Sequence, residues 1–255
     1  MESRDKQILD LAMEAGKTLL DAGAEIFRAE ETIQRIAKAY GIEKCSAFVM
    51  STGIFLTAES KGEDIYAQVR HIPINSARLN RVAAVNQLSR DTVEEAWERL
   101  EAIKQMPGKK NITRILASGV GSASFCYVLG GGIWDAAAAF LSGFLLYVLL
   151  VALEKREKKT SKIVLNLLGG FWASFLAVVF YRLGIGENYG SILVGSIMPL
   201  VPGVSFVNSI RDFADGDYIG GGVRMLDTLL VALGIALGVG LMYMLYYKVT
   251  GGVLL

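Results

Sequence analysis

The sequence predicts an α+β N-terminal cytoplasmic domain, with element order ααβββαα, followed by an α-helical membrane domain of five transmembrane helices. Three observations predict this fold class. Hydrophobic residues make up 53% of the 255 residues, above the roughly 45–50% that is usual in soluble domains. Charged side chains concentrate in residues 1–110, whereas residues 111–255 contain long apolar runs. Within the first part, the apolar period changes from helical to alternating and back to helical.

The first part is predicted to contain two amphipathic helices, three strands and two further helices. Gly23 and Gly41 fit the ends of the first two helices, because glycine adopts the left-handed conformation that closes a helix. Alternating apolar residues mark the strands, and helical spacing then returns. The predicted ranges are 5–22, 24–40, 45–52, 54–60, 65–72, 76–89 and 92–105.

Few residues of this part suggest chemistry. His71, the one histidine, is predicted on the buried face of its strand with Ala67 and Val69, and Arg70 on the opposite face. The acidic start of the second helix either complements the helix dipole or belongs to a ligand site. We find no nucleophile constellation, no Gly-rich phosphate loop and no metal-ligand spacing, which predicts no enzyme, no cofactor and no metal. The candidate residues are Glu25, Arg28, Glu30, Arg70, His71 and Asn80.

Five apolar segments follow, each close to the ~20 residues that span a bilayer. Basic residues cluster before the first segment and in the second and fourth loops. Since basic loops face the cytoplasm, the N-terminus is predicted inside and the C-terminus outside. With no apolar leader at the N-terminus, we expect the first part to stay on the side of the membrane where it is made, in a multi-pass membrane protein. The net charge of +1 gives no information about nucleic acid, and because the sequence has no basic stripe we expect no nucleic-acid partner. The segments are residues 112–130, 132–153, 162–183, 190–210 and 224–247.

The fourth segment is where the function is predicted to reside. Pro199 and Pro202 remove backbone donors and Gly203 follows, so the helix should break there. Broken membrane helices commonly form the substrate site of transporters; the alternative is a kink that serves packing only. Polar residues inside apolar runs are costly and are therefore further candidates. The candidate substrate path comprises Pro199, Pro202, Gly203, Ser205, Asn208, Arg211, Asp212, Arg224 and Asp227.

Three narrower expectations concern the same half of the chain. Arg224 and Asp227 stand three residues apart on one helix face and could form an ion pair. The loop 215–222 is predicted to be flexible, either as a cytoplasmic gate or as a plain connector. Asp135 is predicted to be only interfacial, at the outer surface.

An odd number of spans suggests half of a transporter, because many transporters contain two repeats. Small residues such as Gly169, Gly170, Gly234 and Gly238 predict close helix contacts. These contacts either lie within the chain or join it to a partner. The second interpretation predicts a homo-oligomer or a second membrane protein.

Four stretches resemble the threonine/serine exporter (ThrE) family of bacterial and fungal membrane proteins. They are Gly23–Glu30 with the following helix, Phe48–Phe55, Arg70–Asn86 and Met198–Asp217. The resemblance extends over nearly the whole chain and implies an exporter of small amino acids. Family members are similar to this chain followed by a second block of spans. The chain therefore resembles the longer subunit of the split, two-component exporters, one pair of which is associated with succinate export.

Three functional hypotheses follow. The first is a subunit of an exporter of small amino acids, with dicarboxylate (succinate) export beside a short partner membrane subunit as its alternative. The second is a membrane-anchored hydrolase with its chemistry in the N-terminal domain. The third, compatible with the first, is that the N-terminal domain senses a ligand and gates the path. The expected partners are a small-molecule substrate (amino acid or dicarboxylate), the lipid bilayer, and a short membrane subunit or further copies of the chain.

Overall fold

The structure, a computed structural model, describes residues 3–50, 52–60, 64–72, 79–85, 93–106, 110–156 and 161–252. Residues 61–63, between the second and third predicted strands, and residues 157–160 of the basic second loop lie outside the described residues. Contacts between residues divide the chain into two compact units, which we describe separately. The first contains residues 1–107 and 204–225, and the second contains residues 108–203 and 226–255. The predicted domain boundary at residue 110 concerns the point where the chain enters the membrane. It stays a prediction, because the two units are defined by contacts between residues.

In its described residues, the first unit combines six helical segments with one sheet. Its elements are α1 (Ser3–Asp21), α2 (Ile26–Ala39), β1 (Lys44–Met50), β2 (Gly53–Ser60), β3 (Asp64–His71), α3 (Leu79–Val85), α4 (Val93–Gln105), α9 (Gly203–Ala214) and the first residues of α10 (Tyr218–Thr250). The three strands pair antiparallel in the order β1-β2-β3. Few residues separate consecutive strands in the sequence, which favours this antiparallel pairing.

The core of the first unit lies between α1, α2 and one face of the sheet. Ile8, Leu19, Ile33 and Leu56 are fully buried there. The helices approach closely at Gly16, where a Cβ would lie 2.4 Å from Ile33 Cδ1. A Cβ at this position would force the Ile33 side chain to move.

The sheet buries the opposite face of β3 from the one predicted. Tyr66, Gln68 and Arg70 lie beside Ala58, Leu56 and Ile54 of β2, which face the helices. Tyr66 Oη and Gln68 Nε2 donate hydrogen bonds to Asp10 Oδ1 of α1, at 2.8 and 3.4 Å. Val69 is 61% exposed, and Ala67 and His71 are exposed with it. The prediction for His71 was wrong because the neighbouring strand, and not the apolar alternation of β3 itself, decides which face is covered.

The second unit consists of helices. They are α5 (Asn111–Val128), α6 (Ile133–Arg156), α7 (Lys162–Arg182), α8 (Tyr189–Ile197) and the greater part of α10. Three described helices, α6, α7 and α10, are long and apolar enough to cross a membrane, and the bent pair α8–α9 adds a fourth if it is one span. The 18 residues of α5 include Arg114 and several hydroxyl side chains, which lower its hydropathy. The count of five spans stays a prediction.

The predicted break of the fourth segment is present. The α8 helix ends at Ile197, a single 3-10 turn covers Met198–Leu200, and α9 begins at Gly203. The chain bends by 65° at this break. Pro199 and Pro202 explain it, because neither can donate the backbone hydrogen bond that a continuous helix requires.

Glycines make close contacts between α7 and α10, within the chain itself. A Cβ at Gly238 would lie 2.1 Å from the carbonyl oxygen of Leu167, and one at Gly170 would lie 2.5 Å from that of Ile235. Backbones approach this closely only where side chains are absent. Gly170 and Gly238 therefore serve packing inside the second unit.

Candidate functional site

The first unit contains a cleft of about 450 Å³ in which four carboxylates face an apolar wall. The carboxylates belong to Glu30, Asp212, Asp215 and Asp217, and none of the described residues that line the cleft is basic. The wall is formed by Ile26, Phe27, Phe48, Val49, Tyr218 and Ile219. We call this feature the acidic cleft. It brings together two groups of predicted residues that lie about 180 positions apart in the sequence.

The start of α2 supplies one side of the acidic cleft. Glu25 occupies the cap position before α2, and its side chain makes no capping hydrogen bond to the backbone. It instead accepts a hydrogen bond from Arg28 Nε at 2.8 Å and forms an ion pair with Arg211 of α9. Glu25 is largely buried and Arg211 is half-exposed. The interpretation of Glu25 as a dipole complement alone is thus incomplete.

The end of α9 supplies the other side. Gly216, with a φ of +86°, allows a tight turn in which the N–H of Asp217 donates to the carbonyl of Asp212. Asp217 Oδ1 then accepts a hydrogen bond from the Gly220 N–H at 2.8 Å and caps the start of α10. The predicted flexible loop 215–222 is therefore a three-residue turn followed by helix. The turn places the three aspartates on one side of the cleft.

In the acidic cleft, buried carboxylate oxygens lack hydrogen-bond donors among the described residues. Asp212 is 3% exposed, and its Oδ2 lies 3.4 Å from Arg224 Nε without accepting an aligned hydrogen bond. Asp217 Oδ2 is also buried and accepts no hydrogen bond within the described residues. Burial, together with the negative charge of Asp217, raises the pKa of Glu30 above its ordinary value. Such a cluster favours uptake of a proton or of a cationic group.

The other predicted residues of the first unit fall in several places. Ser205 and Asn208 lie half-buried along α9, on the same helix face as Asp212. Arg70 pairs with Glu14 at 4.0 Å on the helix-facing side of the sheet, away from the lining of the acidic cleft, and His71 lies on the opposite face. Asn80 lies in α3, but its side chain is outside the described part. Among the described residues, no group of three or more His, Cys, Asp or Glu side chains is arranged to hold a metal ion.

In the second unit, two clefts flank the helix break. One, of about 320 Å³, is lined by Thr113, Arg114, Ala117, Ser118, Gly121, Phe125, Tyr147, Met198 and Pro199. The other, of about 190 Å³, is lined by Tyr147, Leu150, Glu154, Lys162, Leu165, Asn166, Pro199 and Leu200. Tyr147 and Pro199 belong to both. Of the predicted path residues, Pro199 lines these clefts, and Asp227 lies half-buried in α10.

An ion pair connects the two clefts. The Nη1 and Nη2 atoms of Arg114 donate to Glu154 Oε2 and Oε1, each at 2.9 Å. The Arg114 guanidinium also lies over the Tyr147 ring, 5.4 Å from its centroid. In the sequence analysis, Arg114 and Glu154 counted only among the charges near the ends of the predicted membrane segments. Their positions inside the first and second helices of the membrane part were the signal that could have identified them.

A helical membrane part with a broken helix flanked by clefts is the architecture of a membrane transporter. Comparison with known proteins agrees. The family model described as "Putative threonine/serine exporter" (ThrE) matches residues 10–246. The chain belongs to this threonine/serine exporter family.

Curated relatives carry two kinds of name. The chain is 24% identical over 247 residues to "Threonine/serine exporter" of Corynebacterium glutamicum, with 92% of this chain and 50% of that protein covered. "Probable threonine/serine exporter" of Mycobacterium tuberculosis is 22% identical, with 92% of this chain and 45% of that protein covered. "Probable succinate transporter subunit YjjP" of Klebsiella aerogenes is 23% identical, with 93% of each chain covered. The chain thus spans about half the length of the two exporters and nearly all of the named subunit. No solved structure matches the chain significantly.

Proposed function

We propose that this chain is a subunit of a bacterial inner-membrane exporter of small amino acids of the threonine/serine type. The observation that carries the proposal is the family match over residues 10–246, which includes the broken helix and both clefts beside it. A helix break at membrane depth exposes backbone groups that bind a substrate's charged ends. The proposed path runs along the clefts at Pro199 in the second unit.

A second candidate function is export of a dicarboxylate such as succinate together with a short partner membrane subunit. It is supported by the similarity to a protein named as a succinate transporter subunit, which the chain matches over 93% of its length. In both cases we propose that the chain works with a second membrane subunit or with further copies of itself.

The first unit has a proposed role as the cytoplasmic part that responds to substrate or protons and gates the path. The acidic cleft supports this role, since the raised pKa of Glu30 allows it to exchange a proton closer to neutral pH than an ordinary carboxyl. The contacts of Glu25 with Arg211 and of Asp212 with Arg224 tie α2, α9 and the start of α10 to this cleft.

The test is efflux of threonine and of succinate from preloaded bacterial cells. It is run with this chain alone and with a short membrane protein encoded beside it. Threonine efflux supports the first candidate, and efflux of succinate only with the second protein supports the second. Absence of efflux of both substrates, from cells in which the chain is inserted in the membrane, would contradict the proposed function.

A further inference from the structure

We propose that Arg114 and Glu154 are the recognition pair for an α-amino-acid zwitterion, with Arg114 binding its carboxylate and Glu154 its ammonium group. This inference rests on the proposed function, because it assigns the substrate contacts of the exporter. In the structure the two side chains bind each other, and the zwitterion takes the place of that mutual contact.

The position of the pair supports recognition. Arg114 lines the 320 Å³ cleft, Glu154 lines the 190 Å³ cleft, and Tyr147 and Pro199 border both. A ligand between the two charges would therefore touch the helix break directly. The larger cleft is at the small end of the roughly 300–1,000 Å³ that ligand pockets occupy, which fits a small metabolite.

The chemistry of the pair fits a zwitterion. A guanidinium fork matches the two oxygens of a carboxylate, and Arg114 already makes this contact with Glu154 through both terminal nitrogens. The Tyr147 ring holds the guanidinium in place through its face. A ligand that carries one carboxylate and one ammonium supplies each side chain with the charge that it now receives from the other.

The pair is accessible to exchange. The Arg114 side chain is 31% exposed and the Glu154 side chain 49% exposed. Exposed ion pairs contribute little to stability, so their separation by a ligand costs little. In the proposed topology, the start of α5 and the end of α6 face the cytoplasm, which is the side from which an exporter takes its substrate.

The surroundings favour a small hydroxylated substrate over a dicarboxylate. Thr113 and Ser118 bring hydroxyl groups to the Arg114 side. Ser118 Oγ donates to the Gly143 carbonyl at 2.9 Å and keeps lone pairs that accept from a substrate hydroxyl. If Arg114 bound one carboxylate of a dicarboxylate, the second carboxylate would face Glu154. Two neighbouring negative charges repel each other.

The experiment measures threonine and succinate efflux by the full chain, with its partner where one is needed, for wild type and four variants. Glu154→Gln should lower the ratio of threonine to succinate efflux at least about tenfold, because it removes the group that binds the ammonium. Arg114→Lys should lower efflux of both substrates by a similar factor, because lysine keeps the charge without the fork. The control Glu187→Gln removes an exposed carboxylate elsewhere in the second unit and should leave the ratio unchanged.

The fourth variant separates recognition from a structural role. Arg114→Glu combined with Glu154→Arg restores an ion pair between α5 and α6 but places each charge on the wrong side of the clefts. Recognition predicts normal membrane insertion and thermal stability with impaired threonine efflux. Full threonine efflux by the double variant would overturn the inference. An unchanged ratio of threonine to succinate efflux in Glu154→Gln would also overturn it. In both cases, efflux by the wild type would still support the proposed function. Wild-type efflux of succinate alone would overturn the zwitterion assignment, and no wild-type efflux would overturn both.

Discussion

Asp135 is a buried carboxylate at the start of α6, where it was expected to be only interfacial. Its Oδ1 accepts from the backbone N–H groups of Glu187 and Asn188 at 2.7 and 2.9 Å, and its Oδ2 accepts from Gly132 at 2.8 Å. The side chain is 4% exposed. It therefore fixes the segment between α7 and α8 to the start of α6, and through it the position of the helix that leads into the break.

Replacing Asp135 should destabilise the second unit. Asp135→Ala leaves three backbone donors without their acceptor, at a cost of at least about 2 kcal/mol. Thermal unfolding of the purified protein in detergent measures the loss. Glu187→Gln, which removes an exposed charge in the same segment, is the matched control and should unfold like wild type. Equal unfolding temperatures for all three proteins would show that the carboxylate has no structural role.

Glu30 should make stability depend on pH in a defined direction. Burial and the charge of Asp217 raise its pKa above the ordinary 4.5. Between 4.5 and that raised value, the folded protein holds a proton that the unfolded chain has released. Stability contributed by this group therefore falls as the pH rises through this interval.

Glu30→Gln should flatten this part of the stability curve and should be more stable than wild type above the interval. Unfolding temperatures measured from pH 4.5 to 7.5 test the prediction. Glu98→Gln, at an exposed position of α4, is the control, and it should follow the wild-type curve. Parallel curves for wild type and Glu30→Gln would show that Glu30 ionises like an ordinary surface carboxyl.

At the scale of elements, the break between α8 and α9 depends on two prolines. Replacing both Pro199 and Pro202 with alanine restores two backbone donors and permits a straighter helix. We expect efflux to fall at least about tenfold, which corresponds to an increase on the order of 1.4 kcal/mol in the rate-limiting barrier, with the protein still inserted. Val201→Ala, between the prolines, changes a side chain without changing the backbone and should keep normal efflux. Normal efflux by the double variant would assign the break to packing alone.

The packing of α7 against α10 depends on glycine in the same direct way. At Gly238, a Cβ would lie 2.1 Å from the Leu167 carbonyl oxygen, whereas nothing lies within 4 Å of a Cβ at Gly240. Gly238→Val should therefore force the helices apart at a cost of about 1–3 kcal/mol or more. Gly240→Ala should be neutral or slightly stabilising, because alanine favours helix over glycine.

Detergent-solubilised yield and unfolding temperature measure both variants. The glycine contact is confirmed by a large difference between the two positions. If Gly238→Val unfolds at the wild-type temperature, the helices do not approach there as closely as the structure shows.

At the scale of the whole molecule, the number of membrane spans depends on whether α5 crosses the membrane. Three described helices and one bent pair are apolar enough to do so, and α5 falls short. We predict that α5 is a fifth span, stabilised by its contacts with α6 and α8, because residues facing neighbouring helices need not be apolar. Ser118 and Ser122 of α5 are buried in this way.

Reporter fusions after Leu255 and before Met1 test this topology. Five spans place the two termini on opposite sides, so a phosphatase that is active only outside should be active at the C-terminus, and a fluorescent protein that folds only inside should fluoresce at the N-terminus. Both termini inside would remove α5 from the count and contradict the predicted orientation of the last span.

Much of the local structure was predictable from sequence because it follows local rules. The strand boundaries lie within one or two residues of those predicted from alternation and turn residues. The helix break was predicted from the chemistry of proline, which acts on its own turn of helix. The family resemblance, confirmed by the match over residues 10–246, depended on motifs distributed along the chain.

Contacts between distant residues could not be predicted in this way. Alternation in β3 marks two faces, but only pairing with β2 decides that Tyr66 and Gln68 face the helices. Sequence spacing suggested Asp227 as a partner of Arg224, and the ion pair of Arg224 with Asp212 of α9 could not be read from spacing. Glu154 and Arg114, 40 positions apart, meet only because α5 and α6 pack together.

By itself, then, the sequence determined the class of protein, the elements of its α+β part and the position of the broken helix. These properties depend on composition, period and backbone chemistry, which are local. Only the tertiary structure decided which charges meet, since a side chain's partner depends on helices that pack from far along the chain. The acidic cleft and the Arg114–Glu154 pair are both products of such packing.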